Sequence, residues 1–564
     1  MTDLYLTALR EHQAGNLDLA EKIYREIIAA EPKNHDVLHL LSILLAQRKD
    51  FLNAHYFIER ALAITPNSPT FHNSMGNILK NLNQHEGAIS HYKTALQLQP
   101  DNASVHNNLG NVFYHMEKID EAKEHYYEAI RLRPQYVDAY YNLSLVLIKQ
   151  DSVSEASKNL RMILQIQPGH DKAHGSLAYL LQMQGEFDQA MHHYQKALEG
   201  NDDNVLSHHN LGVILTNKGR YYDAIPHFKK TLDLQPEHVE ALSNLGSIFM
   251  LQRKAAEALP YFFLLARLTH DFDAYYNLGV IYIELSSFDE AVIYFEKALK
   301  ILPNDFATNI NLGVIHLQRR DFDKAESYYL QAHNLQPNNE EVSYILAAIG
   351  QKSEQSKAPA GYVKNLFDQY APYFDKHLEM LGHEVPQLLF DAVQNVVGKK
   401  EGPDLMVLDL GCGTGMSGAK FKSSARRLIG IDLSEKMLEI AQSKNIYTDL
   451  RLGAIEDVVI GFSDLDVIIA SDTLVYFGDL MDIFSKCHLA LKDGGVFAFT
   501  VEESGKSYPY ELQRSARFAH SGKYINEIAT QNNFVILQSD KIVLRKHGDD
   551  LIEGRLFLLR KGHQ

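Results

Sequence analysis

Alanine recurs every 34 residues through the N-terminal part of this chain, and no other feature constrains its fold as much. The positions are Ala20, Ala54, Ala88, Ala122, Ala156, Ala190, Ala224 and Ala258, followed after one 33-residue step by Ala291 and Ala325. Twelve residues beyond most of them stands a proline, from Pro32 and Pro66 through to Pro303 and Pro337; Asp202 and His270 are the exceptions. Four residues beyond comes a bulky apolar group such as Tyr92, Tyr126, Phe228 or Phe295, and ahead lies a Leu-Gly pair such as Leu109-Gly110 or Leu278-Gly279. Small residues let two antiparallel helices approach closely, the bulky residue fills the gap between them, and proline stops the second helix.

This period and pattern resemble the tetratricopeptide repeat, over ten units from about Asp3 to Pro337. A further helix, Asn339 to Gly350, keeps the phase and caps the stack. The resemblance implies an all-α superhelix over 1–350 with a long concave groove, an architecture that binds partners. Just before the Leu of the Leu-Gly pair stand Asn108, Asn142, Asn210, Asn244, Asn277 and Asn311, with Ser74 and Ser176 as gaps. An asparagine amide offers a donor and an acceptor, so a row of them can grip the main chain of an extended peptide. The tetratricopeptide arm of O-GlcNAc transferase is similar in this respect, which implies a peptide-binding ladder here; the alternative is that these amides satisfy neighbouring groups. The positions one residue earlier hold no Lys or Arg, which argues against a clamp for a terminal carboxylate.

After Gly350 the period fails. The stretch 351–361 is polar, small and proline-containing, and is expected to be a linker. Beyond it, over 362–564, apolar strands alternate with helices: Leu405 to Leu410, Arg427 to Asp432, Asp449 to Leu452, Leu465 to Ala470, Gly494 to Val501, Phe534 to Ser539 and Gly554 to Arg560. Seven strands in this grammar predict one α/β doubly wound, Rossmann-like domain.

The first strand runs into Asp409-Leu410-Gly411-Cys412-Gly413-Thr414-Gly415 and the second ends at Asp432. Glycines at alternate positions let a ligand press on the backbone at the carboxyl end of a sheet, and Asp432 can accept hydrogen bonds from ribose hydroxyls. Gly413-x-Gly415-x-x-Gly418 also fits a dinucleotide fingerprint. Charge separates the two ligands, because Asp409 would repel a pyrophosphate and favour the ammonium and sulfonium of S-adenosylmethionine. With the later Leu491-Lys492-Asp493-Gly494-Gly495 turn, these motifs resemble class I methyltransferases. Phe367 to Leu378 and Arg517 to Ser521 resemble the predicted methyltransferases fused to tetratricopeptide repeats, whose substrates the resemblance does not imply.

The resemblance implies a cofactor site built from Asp409, Gly411, Cys412, Gly413, Gly415, Asp432, Leu433, Ile455, Glu456 and Ser471, with Tyr370 and Phe374 shielding it. Ala454 stands where many relatives carry an acid for the adenine, so Glu456, Asp457 or the backbone of Ile455 is left to serve. Methyl transfer needs alignment more than proton chemistry. If an acid or base acts, Asp472, Tyr476 and His520 are the candidates, each with a structural role as the alternative.

A net charge of −16 argues against general attraction to nucleic acid or anionic lipid. The N-terminus does not read as a signal peptide, and Cys412 and Cys487 provide neither a disulfide framework nor a metal cluster. The expectation is a cytoplasmic methyltransferase whose repeat arm recruits a protein or peptide. The alternatives are a small or carrier-bound acceptor with the arm used only for docking, and a scaffold that senses the cofactor without catalysis.

Overall fold

The computed structural model describes residues 2–351, 355–398, 402–506, 508–547 and 550–562. They form two compact units, 1–270 and 271–564.

In the first unit, the described residues form eight helix pairs, from Thr2–Gln13 with Leu17–Ala30 to Val239–Leu251 with Ala255–Thr269. The phase-setting alanines are fully buried. The Leu-Gly glycine has a specific steric reason: a Cβ on Gly110 would meet the ring of Tyr126 at 2.7 Å, and one on Gly212 would meet Phe228 at 2.9 Å. The aromatic of the second helix therefore lies on bare backbone of the first. Gln99 and Gln167, each just before a proline, are extended (φ −141° and −135°), because proline crowds the preceding residue out of the helical region. Asn102 and Asn204 then cap the next helix, accepting from Val105 N–H at 3.2 Å and Ser207 N–H at 3.0 Å.

The second unit begins with two more pairs, Phe272–Glu284 with Phe288–Ile301 and Phe306–Gln318 with Phe322–Leu335, and the single helix Glu340–Ile349. Residues 352–354 of the expected linker lie outside the described residues. Those that follow are bonded to the sheet domain: Ala358 is buried and donates to Tyr476 O at 2.9 Å, and Ser356 O accepts from Gly478 N–H at 2.7 Å. The helices Ala360–Tyr370, Phe374–Met380 and Val385–Val397 lead into the sheet.

All seven expected strands are present: β1 (Leu405–Leu410), β2 (Ala425–Asp432), β3 (Asp449–Leu452), β4 (Leu465–Ala470), β5 (Leu491–Glu503), β8 (Phe534–His547) and β9 (Asp550–Lys561). Two short strands, β6 (Tyr510–Leu512) and β7 (Phe518–His520), were not anticipated; each is too brief to show a period. The order β3-β2-β1-β4-β5 is parallel, with β9 antiparallel beside β5 and β8 beside β9. Phe499 pairs with both β4 and β9, and Glu502 with both β7 and β9. The β6–β7 hairpin therefore continues the edge occupied by β4, beyond β4's carboxyl end. Leu408 and Ile468 enter the core on one face with Phe484, and Val407 and Val467 enter on the other with Leu389, as a sheet covered on both sides requires.

The last repeat helices share a core with this domain. Tyr329, Tyr344 and Ile345 pack with Val475, Tyr476, Leu512 and Phe518. The fully buried Tyr344 donates its hydroxyl to Ala516 O at 2.8 Å, and Arg514 lies 4.6 Å from the ring centre of Phe322.

The first unit also contains histidine pairs that the repeat motif does not announce. His72 and His91, His106 and His125, His174 and His193, and His208 and His227 face each other through Nδ1 atoms 2.8–3.0 Å apart. Nε2 of His72, His174 and His208 lies within 3.0 Å of a backbone carbonyl, which can only accept. In the neutral ring that Nε2 carries the hydrogen, so Nδ1 accepts from the partner's Nδ1–H. Doubly protonating a pair would set two N–H groups against each other. Burial, reinforced by the neighbouring histidine, lowers His125 and His193 to about 4. The unfolded chain binds protons at higher pH than the native one, so stability is lost as pH falls from the ordinary histidine value toward 4. Urea unfolding between pH 7.5 and 4.5 should show this loss, and His125→Gln with His193→Gln should flatten it.

Candidate active site

Three positive-φ glycines shape the turn after β1: Gly411 (+66°), Gly413 (+53°) and Gly415 (+93°). A Cβ on Gly411 would strike Thr473 at 2.5 Å, so the turn lies against the segment after β4. Gly413 N–H donates to Asp432 Oδ2 at 2.8 Å, and Ser434 N–H donates to Oδ1 at 2.8 Å. Asp432 thus ties the ends of β1 and β2 together and keeps acceptor capacity beyond these two bonds. Burial raises its pKa and those backbone donors oppose the rise.

Asp409 corrects an expectation. It does not form part of the cavity wall: its carboxylate is 1% exposed behind the turn, with Oδ2 accepting from Tyr447 at 2.7 Å and Oδ1 without a partner. Burial raises its pKa to about 7, against the Tyr447 hydrogen bond and with help from Asp432. Gly415 is also off the wall; a Cβ there would press on Ile446 and Tyr447 at 3.0 Å.

A cavity of about 540 Å³ opens at the carboxyl ends of β1, β2 and β4. Its wall includes Gly411, Cys412, Gly413, Asp432, Leu433, Ile455, Glu456, Ser471, Asp472 and Tyr476. The segment before the sheet closes over it, placing Tyr370 and Phe374 on the wall with their rings 5.3 Å apart. Phe367 extends this aromatic edge to Phe374 at 6.1 Å and Tyr476 at 5.6 Å. Asp368 accepts from Ser434 Oγ at 2.6 Å and Asp375 from Thr414, so the segment is pinned to the ends of both strands. Glu456 is held by Lys357, a residue that reads as linker in the sequence. Gln318, from the helix Phe306–Gln318, lines the same cavity.

Opposite the glycine turn, at the end of β4, Asp472 adopts φ +56°, with its N–H donating to Thr500 Oγ1 at 3.0 Å. Arg545 grips its two oxygens at 3.1 and 3.0 Å and also bonds Glu502. Burial alone would raise the Asp472 pKa, but Arg545 and Arg517 outweigh it and hold the pKa below the usual carboxylate value. Asp472 is therefore ionised and committed, a poor general base. Tyr476 is 5% exposed, and its hydroxyl has no partner. His520 corrects a second expectation: it is 1% exposed and absent from the wall, with Nε2 against Gly478 O at 3.1 Å. Burial lowers it to about 4, leaving a neutral structural histidine. Arg517 and Arg545 come from positions far apart in the chain, and no local spacing marks them as neighbours.

The asparagines lie on the repeat helices, each half-buried. In the first unit, Asn108 and Asn142 donate to Asn73 and Asn107 at 3.1 and 3.0 Å, Asn210 to Tyr194 Oη at 3.0 Å, and Asn244 to Glu240 O at 2.8 Å. In the second unit, Asn277 donates to Asp273 O at 2.8 Å; Asn311 is the equivalent residue on the next pair. At least one donor of most of these amides is already used by a neighbour.

Residues 407–495 match the family model described as a methyltransferase domain. Models described as tetratricopeptide repeat match 5–69, 76–136, 175–269, 272–305 and 307–339. The chain is a tetratricopeptide-repeat protein with a methyltransferase domain. A protein named as a methyltransferase in Geobacillus sp. (strain WCH70) is 31% identical over 153 residues, 25% of this chain and 59% of that one. The malonyl-[acyl-carrier protein] O-methyltransferase of Yersinia pestis is 28% identical over 100 residues, 18% of this chain and 38% of its own length. The ubiquinone biosynthesis O-methyltransferase of Chromobacterium violaceum is 29% identical over 153 residues, 25% and 63% of the two chains. The chain spans less than two thirds of each of these relatives. Among the described residues, no helix is long and apolar enough to cross a membrane.

Within the methyltransferase domain, the raised Asp409 pKa has a consequence for stability. The native carboxyl keeps its proton to about pH 7, whereas the unfolded one releases it near its ordinary value, so stability falls as pH rises from about 4 through 7. Asp409→Asn should remove this component, read as a flatter unfolding free energy against pH than that of the parent protein.

Proposed function

We propose that the protein is an S-adenosylmethionine-dependent methyltransferase acting on oxygen, with a helical arm over 1–350 that recruits a peptide or protein and a catalytic domain over 362–564. One observation carries the cofactor assignment: the Gly411–Gly415 turn is bonded to Asp432, so that the acid is fixed at the strand end on the cavity wall with acceptor capacity left over. The residues fit the group. A Cβ on Gly413 would take up space 3.7 Å from Phe374, which leaves a cradle beside the turn. The relatives named as O-methyltransferases support oxygen as the acceptor atom.

Asp432 would take the ribose hydroxyls, Ile455 and Glu456 would flank the adenine, and Leu433 and Ser471 would complete the wall. When bound, S-adenosylmethionine supplies a methyl carbon already activated by its sulfonium. The protein's part is to align the acceptor and keep water out, for which Phe367, Tyr370 and Phe374 form the cover. Gln318 on the cavity wall supports a working link between the last repeats and this site.

Calorimetry should show S-adenosylmethionine binding to the full chain and NAD failing to bind. Asp432→Ala should weaken that binding by more than about tenfold through loss of charge-assisted hydrogen bonds. NAD binding in its place would overturn the assignment. For the arm, Asn210→Ala with Asn244→Ala should reduce methylation of a protein acceptor while leaving cofactor affinity unchanged; unaltered methylation would remove the peptide role of the ladder.

A further inference from the structure

We propose that the methyl acceptor carries a carboxylate, held by Arg517 and Tyr476. This rests on the methyltransferase reading above and names the substrate class of that site. Both residues line the cavity, and the Arg517 guanidinium carbon lies 5.7 Å from the centre of the Tyr476 ring. Nη1 of Arg517 is buried and makes no hydrogen bond; Asp472 at 3.6 Å and Glu502 at 3.8 Å balance its charge as ion pairs but lie beyond hydrogen-bond reach, so its N–H has no acceptor. The Tyr476 hydroxyl is likewise buried without a partner. Buried polar groups are nearly always satisfied, so two neighbouring orphaned donors on a cavity wall point to a ligand that accepts hydrogen bonds.

That ligand must bring acceptor oxygens. An amine would meet the guanidinium charge and leave both donors unused. A neutral alcohol would need a base; the acids on the wall are committed, Asp432 to the glycine turn, Glu456 to Lys357 and Asp472 to Arg545, so the proton would have to go to His377 or His383, and the Arg517 charge would still face a neutral group. His520 is buried away from the wall. A carboxylate arrives ionised and offers one oxygen to each donor, in the charge-assisted geometry that arginine favours. In the reaction, its oxygen forms a bond to the methyl carbon, the carbon–sulfur bond breaks, and the electron pair stays on sulfur. The products are a methyl ester and S-adenosylhomocysteine, and no proton moves.

The test uses the full chain saturated with S-adenosylhomocysteine and titrated calorimetrically with benzoate, benzyl alcohol and benzylamine. These probes share a ring suited to the aromatic wall and differ in charge. Benzoate should bind most tightly. Arg517→Gln should weaken it roughly tenfold or more and Tyr476→Phe by a smaller factor, with S-adenosylhomocysteine affinity unchanged in both. That unchanged affinity also shows that the variants fold. Absence of benzoate binding, equal or tighter binding of the amine or alcohol, or benzoate affinity unaltered in both variants would each overturn the inference while leaving the methyltransferase reading in place. Failure of S-adenosylhomocysteine to bind the parent protein would instead remove that reading itself.

Discussion

The hydrogen bond from Gly413 N–H to Asp432 joins the tips of two neighbouring strands, and the shape of the cavity depends on it. Together with the backbone bond from Cys412 N–H to Ile431 O at 2.9 Å, it fixes the turn after β1 relative to the end of β2. With it, the glycine backbone forms a floor, Asp432 an immobile acid, and Asp375 and Asp368 can reach Thr414 and Ser434 to draw the aromatic segment over the top. Topology contributes the rest. β5 outlasts β4, so the β6–β7 hairpin can add to the vacated edge and carry Arg517 to the far side of the same opening.

Two kinds of polar surface result. On the glycine side the group on the wall is an acceptor, Asp432, its pKa raised mainly by burial. On the far side the unused groups are donors, the Tyr476 hydroxyl and Arg517 Nη1. Acceptors near a cationic nucleoside and donors near an anionic acceptor would bring opposite charges together across the cavity. Carboxylates locked to Arg545 stabilise the far side without offering a base.

Much of the fold is legible in the sequence because it rests on repeated or contiguous signals. Ala88, Gly110 and Pro100 mark helix contacts and turns at fixed intervals, and strands such as Leu405–Leu410 and Leu465–Ala470 are apolar runs with clear ends. The glycine turn and Asp432 are legible because one strand-end motif contains their chemistry. What escaped depends on contacts between distant residues. Asp409 looks like a wall acid until Tyr447 is seen bonded to it, His520 looks available until the carbonyl of Gly478 is seen beside it, and Arg545 reads as one more charge on a long strand. Lys357 sits in a segment whose composition suggests a tether, although it bonds Glu456. The three-residue strands β6 and β7 are too short for alternation to register.

Whether the cavity at the ends of β1, β2 and β4 receives an adenosyl methyl donor can be read directly from the backbone. Amide hydrogen exchange on the full chain, with and without S-adenosylmethionine, tests it at the level of the backbone. Slowed exchange is expected at 411–415, 432–434, 454–456 and 471–473, together with the covering helix Ala360–Tyr370, and no such change with NAD. Protection elsewhere with these segments untouched, or the same protection produced by NAD, would contradict it.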